Sequence, residues 1–354
     1  MIWNVQIFMN RVLVFCFLVW SFSSCSGSSA PDVSHIEINL EVQRFEQDYF
    51  ELDTNNLSVA YQKLSAKYPL FLPDFTYNIL GLPPVESNME VTEEVIRRFL
   101  HDYRPLKDSA DRVFGSDPAF VEEVRKGLQY VKYYFPDYPI PEKLITFIGP
   151  MDAYFEASTG GYGDVITENA LAVGLQLHLG AGFSIYHHEM GQALYPEYIS
   201  RRFAPEYIAV NCLKNIIDDM YPDQSAGKPL LEQMVEKGKR MYLLDKFLPH
   251  TPDSVKLGYT AAQLNGARNN EGLIWNFFVV NNLLYSTEQG VIKNYVGDAP
   301  STPELGEGSP GYIALFTGWE IIKAYREKVP DQSLADLMQT SPRDIYEQSK
   351  YRPR

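Results

Sequence analysis

Cys25 is the residue whose chemistry the sequence specifies most directly. It follows an apolar run, Val12–Trp20, that has Arg11 before it and serines after it, as in a secretory signal. The stretch Ser-Phe-Ser-Ser-Cys ending at Cys25 looks like a bacterial lipobox that lacks the usual leucine. The pattern predicts a signal peptide over residues 1–24 and a diacylglyceryl group on the Cys25 thiol. It also predicts acylation of the new N-terminus, for example by palmitate, and a flexible polar tether over residues 25–34.

Two other interpretations of this segment fit less well. A transmembrane helix needs about 20 consecutive apolar residues, whereas the run Val12–Trp20 is shorter and is followed by serines. An ordinary signal peptide with an incidental cysteine leaves the position of Cys25 before a polar tether unexplained. We therefore expect membrane lipid to be a partner of the chain, through acylated Cys25.

His187-His188-Glu189 is a second candidate for chemistry, and Met190-Gly191-Gln192 follows it. A zinc peptidase needs H-E-x-x-H on a helix, because two histidines one turn apart hold the metal while the glutamate activates water. Gln192 occupies the position of the second histidine, so a solvated loop is the better interpretation. His187 and His188 stay open as alternative metal ligands, but the sequence predicts no metal and no cofactor.

Isolated charged residues next to apolar helical patterns form a third candidate. They could build a buried ionic network or the remnant of a site, and they are Arg201, Arg202, Glu206, Glu271 and Glu320. Pro205 suits the first turn of a helix, and Glu206 suits its positive end. Surface charge and simple helix-start preference remain the alternative interpretation of these residues.

The elements that would position these residues are mostly helices with a small sheet, which is the α+β class. Strict alternation predicts a strand at 36–42, and β-branched content predicts strands at 143–149 and 169–175. The glycine-rich stretch 158–164 is interpreted as a hairpin connection, so the predicted sheet is antiparallel. Residues 35–354 are expected to form a single globular domain. Helical spacing predicts helices at 56–67, 91–103, 118–135, 205–221, 229–247, 260–268, 270–285 and 309–328.

Composition limits the classes of partner. The chain has 45 Asp and Glu against 31 Lys and Arg, which gives a net charge of −14 and argues against nucleic acid and against electrostatic docking on anionic lipid. Three cysteines are present. Cleavage removes Cys16 and acylation uses Cys25, so Cys212 has no partner for a disulfide and is expected to be a buried thiol.

Several stretches, in order along nearly the whole chain, also carry a family resemblance. They are Cys25 after its signal, Val42-Gln43-Arg44-Phe45-Glu46, Gly174-Leu175-Gln176-Leu177-His178-Leu179-Gly180, Tyr195-Pro196-Glu197-Tyr198, Arg201 to Ile208, Ile274-Trp275, Ser309-Pro310-Gly311 and Gly318-Trp319. Together they resemble the gliding-motility lipoprotein B family, GldB. His178 and the pair at His187 and His188 depart from the pattern expected in that family.

The resemblance implies a membrane-anchored lipoprotein of the cell envelope that is needed for surface gliding and has no established catalytic activity. That family is similar in turn to predicted zinc peptidases, which implies a zincin-like scaffold. Pro205-Glu206-Tyr207-Ile208-Ala209 would then stand at the H-E-x-x-H position, with both ligand histidines replaced. On this correspondence the chain is a pseudo-peptidase that retains only Glu206.

Three functional hypotheses follow. In the first, the protein is a non-catalytic lipoprotein that faces the periplasm and binds envelope proteins of a gliding or secretion apparatus. In the second, it is a hydrolase that acts through a metal or through Glu206. In the third, it is a periplasmic module that binds a peptide or glycan in an aromatic-rich cleft.

Overall fold

Helices make up most of the chain, and a single short sheet accompanies them. These elements come from a computed structural model, which describes residues 30–82, 89–116, 118–152, 163–167 and 169–353. Val33–Arg354 form one compact unit. No helix among the described residues combines the length and the apolar character needed to cross a bilayer.

The sheet has four strands: β1 Glu41–Arg44, β2 Lys143–Phe147, β3 Asp164–Ile166 and β4 Ala170–Gly174. They lie in the order β1, β2, β4, β3. β1 and β4 both run parallel to β2, whereas β3 runs antiparallel to β4. Every residue of β4 is buried, as is typical of an inner strand that is covered on both faces.

The prediction of an antiparallel sheet is wrong, because only the β3–β4 pair has that orientation. The two strands predicted at 143–149 and 169–175 are parallel neighbours, and parallel strands need a crossover instead of a tight hairpin. The chain passes through β3 before it enters β4, and no sequence pattern indicated β3. Of the stretch 158–164, which was interpreted as a hairpin connection, the structure describes Gly163 and Asp164, and residues 158–162 lie outside the described residues.

The first predicted strand is only partly a strand. Burial alternates along 36–40 as expected, but strand pairing begins at Glu41, which lies opposite Lys143 at the start of β2. Because β1 and β2 are parallel, the residues before Glu41 lie in register before the first residue of β2 and have no strand partner there. Alternation therefore identified the buried face of this segment correctly, although it could not show where the neighbouring strand begins.

Six α-helices precede β2 in the part of the chain that the structure describes, and a π-helical segment, Phe75–Ile79, continues from the third. The helices are α1 Phe45–Phe50, α2 Leu57–Lys67, α3 Phe71–Asp74, α4 Met89–Asp102, α5 Arg104–Phe114 and α6 Phe120–Tyr134.

All eight of the predicted helices, before and after the sheet, fall on observed ones. Twelve α-helices follow β4 within the described residues. They are α7 Ser184–His187, α8 Glu189–Leu194, α9 Glu197–Ser200, α10 Ile208–Met220, α11 Leu230–Phe247, α12 Asp253–Leu257, α13 Ala261–Asn269, α14 Glu271–Val280, α15 Gln289–Val296, α16 Ile313–Lys328, α17 Leu334–Gln339 and α18 Pro342–Ser349.

Helices α11 and α16 touch backbone to backbone. A Cβ atom on Gly318 would lie 1.8 Å from the carbonyl oxygen of Met234, and one on Gly238 would lie 2.2 Å from that of Gly318. Both positions therefore require glycine, since any side chain would push the helices apart. Trp319, the next residue on α16, is buried beside this contact.

An aromatic cluster packs between α1, the π-helical segment and β2. Phe75 lies at its centre, with ring centroids 4.9 Å from Phe45, 4.9 Å from Tyr49 and 6.0 Å from Phe147. Edge-to-face contacts of this kind fix ring orientation as well as burying apolar area. The cluster therefore holds the inner face of the π-helical segment rigidly against the sheet.

Candidate functional site

The charged residues predicted to form one network lie in two places. Around the first, Arg201 donates to the carbonyl oxygen of Gly258 at 3.0 Å and to Oε1 of Gln263 at 3.1 Å. Arg202 forms an ion pair with Asp298. These contacts link the chain before α10 to the α12–α13 connection and to the end of α15, so the two arginines join separate parts of the helical body.

The second place contains Glu271 and Glu320. Tyr351 donates its hydroxyl to Glu271 at 2.8 Å, and Lys323 pairs with Glu320 at 2.5 Å. Burial raises the pKa of Glu320, the nearby Glu271 acts in the same direction, and Lys323 opposes both. Glu206 belongs to neither group of contacts, because its side chain is exposed. Arg201, Arg202 and Glu271 thus join separate elements, whereas Glu320 pairs within its own helix. The five residues do not form the single network that was predicted.

His187 and His188 lie at the surface. His187 ends the short helix α7, its Nε2 lies 2.7 Å from the carbonyl oxygen of Ala181, and His188 precedes α8. Among the described residues, no three His, Cys, Asp or Glu side chains are grouped closely enough to hold a metal.

The segment Pro205–Ala209 does not form the helix turn that an H-E-x-x-H site requires. Pro205–Tyr207 is a 3₁₀ turn, and the regular helix α10 begins only at Ile208. An H-E-x-x-H pair needs both ligand positions on one face of a continuous α-helix. The zincin-like scaffold is therefore not confirmed.

A buried polar cluster around Asp164 is the feature that the sequence did not reveal. The Asp164 carboxylate lies 2.8 Å and 3.0 Å from Nε2 of His178, and it accepts hydrogen bonds from Nδ2 of Asn211 at 2.9 Å and from the backbone N–H of Gly174 at 3.1 Å. Asn215 donates to the backbone oxygen of Asp164 at 2.9 Å. The cluster therefore ties β3, the end of β4 and helix α10 together.

Burial sets the character of this cluster. Asp164 and His178 are each 1% exposed, and Nδ1 of His178 has no hydrogen-bond partner among the described residues. A carboxylate buried this deeply needs several donors to offset its lost hydration. The geometry accordingly suits a fixed structural brace between sheet and helix, with His178 and Asn211 as its side-chain donors.

The carboxyl ends of the parallel strands carry further buried polar contacts. After β1, Glu46 pairs with Arg44 at 2.5 Å and accepts from the hydroxyl of Thr146 at 2.6 Å. After β4, Gln176 accepts from the backbone N–H of Gly149 at 3.0 Å. Two of the stretches that carry the family resemblance therefore lie at the same edge of the sheet.

Two sequence signals could have revealed the cluster. Asn211 and Asn215 are one helical turn apart in a mostly apolar part of α10, so both fall on one face of the helix, and both are buried. His178, which departs from the expected family pattern, follows a run of residues that are all buried. Buried His178 and Asn211 needed an acceptor such as a buried acid, but the sequence offered no pattern to single out Asp164.

We expect Cys212 to react slowly with thiol reagents in the folded protein. Burial raises the pKa of its thiol well above the ordinary value, and the Asp164 carboxylate acts in the same direction. Because the thiolate is the reactive form, Ellman's reagent should label native protein roughly 100-fold more slowly than urea-unfolded protein. Equal rates in the two states would contradict the observed burial of Cys212.

Several exposed apolar side chains lie on α14 and just after it. Leu273 is 68% exposed, Val280 66% and Tyr285 70%, and Val279 is also exposed. Leu273 and Val280 are seven residues apart, so they share one face of the helix. Single exposed apolar residues are ordinary, but several on one helix are typical of an interaction surface.

One family model matches the chain. It is described as gliding motility protein GldB, and it matches residues 26–353, which is nearly the whole sequence. No curated protein and no solved structure matches.

Proposed function

This chain belongs to the family of the gliding motility protein GldB, and we propose that it supports gliding as a lipid-anchored, non-catalytic protein that binds other proteins of the cell envelope. The match over residues 26–353 carries this proposal, and it confirms the resemblance found in the sequence. The name of the family model marks its members as lipoproteins, in agreement with the pattern at Cys25.

The finer parts of the proposal rest on the sequence. The folded body faces the periplasm, and its partners belong to the gliding apparatus or to the secretion apparatus associated with it. The tether after Cys25 has no acidic run of the kind that looks like a surface-export signal. A net charge of −14 disfavours nucleic acid and anionic lipid as partners of the body, and it leaves proteins as the favoured class.

The exposed face of α14 supports protein binding. We assign the partner contact to the exposed apolar residues of α14, Leu273, Val279 and Val280, and to Tyr285, which follows the helix; we call this group the α14 face. Large apolar and aromatic side chains at the centre of an interface commonly carry most of its binding free energy. An apolar face of this kind also suits a partner that buries it permanently, as subunits of an envelope apparatus do.

Val280→Lys tests this assignment. We expect the variant to bind its partner about 2 kcal/mol more weakly, or roughly 30-fold in Kd, because the change places a charge in the centre of the apolar contact. Gliding speed of a strain whose only copy is the variant should fall accordingly. The thermal unfolding midpoint should stay unchanged, since Val280 is exposed and a lysine suits the last turn of α14.

Val113→Lys is the matched control. Val113 is also an exposed valine in the last turn of a helix, α5, and it lies outside the α14 face. The control strain should glide at the wild-type speed. Normal gliding of the Val280→Lys strain, at normal protein level in the membrane, would refute the assignment of the α14 face.

A further inference from the structure

We propose that a cleft formed by α2, α3, the π-helical segment Phe75–Ile79 and α4 binds a small neutral saccharide. This inference goes beyond the motility proposal and does not depend on the α14 face. The cleft has a volume of about 380 Å³, which lies within the range of pockets that hold small molecules. Its polar wall is rich in hydroxyl and amide groups: Ser58, Tyr61, Gln62, Ser65, Tyr77 and Thr92.

The π-helical segment is the first sign that this cleft has a function. The backbone N–H of Leu80 bonds to the carbonyl oxygen of Phe75 at 2.8 Å, which closes the wider π turn. π turns are rare because they cost stability, and they are frequent at functional sites. Here the turn buries Phe75 in the aromatic cluster while it places Tyr77, which is 39% exposed, in the wall of the cleft.

The wall behind Tyr77 is preorganised. The hydroxyl groups of Tyr61 and Thr76 lie 2.5 Å apart, and Thr76 donates to the carbonyl oxygen of Leu72 at 2.7 Å. Burial raises the pKa of Tyr61, the hydrogen bond to Thr76 opposes this, and the nearby Tyr77 raises it further. The hydroxyl of Tyr61 is therefore held by the π-helical segment, and Tyr61 and Tyr77 both line the cleft.

Thr92 gives an independent sign that the cleft binds a ligand. Its side chain lines the cleft and is 1% exposed, yet its hydroxyl has no hydrogen-bond partner among the described residues. A buried hydroxyl without a partner destabilises the folded state. A ligand that forms a hydrogen bond with this hydroxyl removes the destabilisation. We therefore assign the Thr92 hydroxyl to ligand binding, since it forms no hydrogen bond within the described protein.

The lining selects a neutral, hydroxyl-rich ligand. Among the described lining residues the only charged side chain is Glu93, which is paired with Arg97 at 2.8 Å, so the wall offers no cation for a phosphate or carboxylate. Hydroxyl groups donate and accept at once, as those of a sugar do. The tyrosine rings and Ile96 offer apolar surface to its C–H faces. The walls are helical, so they present no strand edge to an extended peptide.

The test is titration of the full chain with N-acetylglucosamine, glucose and their β-1,4-linked disaccharides, followed by saturation-transfer NMR. We expect wild-type protein to bind at least one of these sugars saturably. Thr92→Val should weaken that binding by about tenfold, because it removes one buried hydrogen bond to the ligand. The same variant should unfold at the same temperature as wild-type protein or higher, since it replaces an unpartnered hydroxyl with a methyl group.

Thr317→Val is the matched control. Thr317 is also 1% exposed, but its hydroxyl donates to the carbonyl oxygen of Ile313 at 3.0 Å, away from the cleft lining. This variant should keep wild-type sugar binding. Absence of saturable binding by wild-type protein, equal binding by Thr92→Val, or displacement of the sugar by a short neutral peptide that binds more tightly would each overturn the proposal. None of these outcomes bears on the effect of Val280→Lys on gliding.

Discussion

Replacing Cys25 with alanine is expected to release the protein from the membrane and to abolish gliding while the folded body stays intact. Each buried methylene of an acyl chain contributes about 0.8 kcal/mol to membrane binding, and one chain alone anchors only marginally. Removing all the chains on Cys25 therefore shifts the partition toward water by many orders of magnitude. The measurement is detergent phase separation, combined with mass spectrometry of the N-terminal peptide and gliding speed.

The design must prevent an uncleaved leader from acting as an anchor. The Cys25→Ala variant therefore carries a leader with an ordinary signal-peptidase site, and Ser26→Ala with the native leader is the matched control. Wild-type and Ser26→Ala proteins should enter the detergent phase and carry acyl groups on Cys25. The lipid-anchor prediction is falsified if the processed Cys25→Ala protein still enters the detergent phase.

The tether gives this prediction a geometric consequence. Val33, where the compact unit begins, lies eight positions after Cys25 in the sequence. Because an extended chain spans at most about 3.5 Å per residue, the first residue of the unit stays within roughly 28 Å of the anchor. Anchoring therefore keeps the folded body close to the membrane, which raises its effective concentration toward other membrane-bound partners.

Local patterns predicted the local structure well. The apolar spacing in 118–135 and 229–247 gave helices α6 and α11 to within a few residues, because the buried face of a helix repeats within the helix itself. The strands β2 and β4 were recognised from their β-branched content, which is also a local property of the sequence. Their parallel pairing was not, because strand direction depends on contacts between residues far apart in sequence.

In the candidate sites too, local patterns predicted some features, whereas features built from distant parts of the sequence were missed. Glu271 and Glu320 were singled out as isolated charges in apolar helices, and the structure pairs each of them with a nearby polar group. Asp164 was missed because its three-residue strand is too short to leave a pattern, and its donors come from β4 and α10. The hydroxyl lining of the cleft was also invisible, since α2 and α4 contribute to it from separate stretches of sequence.

Replacing Asp164 with alanine is expected to destabilise the fold strongly. The change removes the shared acceptor of His178, Asn211 and Gly174, and leaves the two side chains buried without a partner. Breaking a buried charged cluster on one side costs about 3–5 kcal/mol. For a chain of this size that should lower the thermal unfolding midpoint by roughly 10 °C.

Asp108→Ala is the control for this variant, because Asp108 is an exposed aspartate on α5 and its loss should change the unfolding midpoint very little. A double-mutant cycle of Asp164→Ala with His178→Ala isolates the contact between the two side chains, and it should give a coupling free energy of about 1–3 kcal/mol. An Asp164→Ala midpoint within 2 °C of wild type would refute the assignment of this cluster as the brace between sheet and helix. If Asp164→Ala lowers the amount of folded protein, gliding will also fall. The lowered unfolding midpoint distinguishes this cause from loss of the anchor in the Cys25 variant, whose midpoint should stay unchanged. The two variants thus distinguish the requirement for a folded body from the requirement for a membrane anchor.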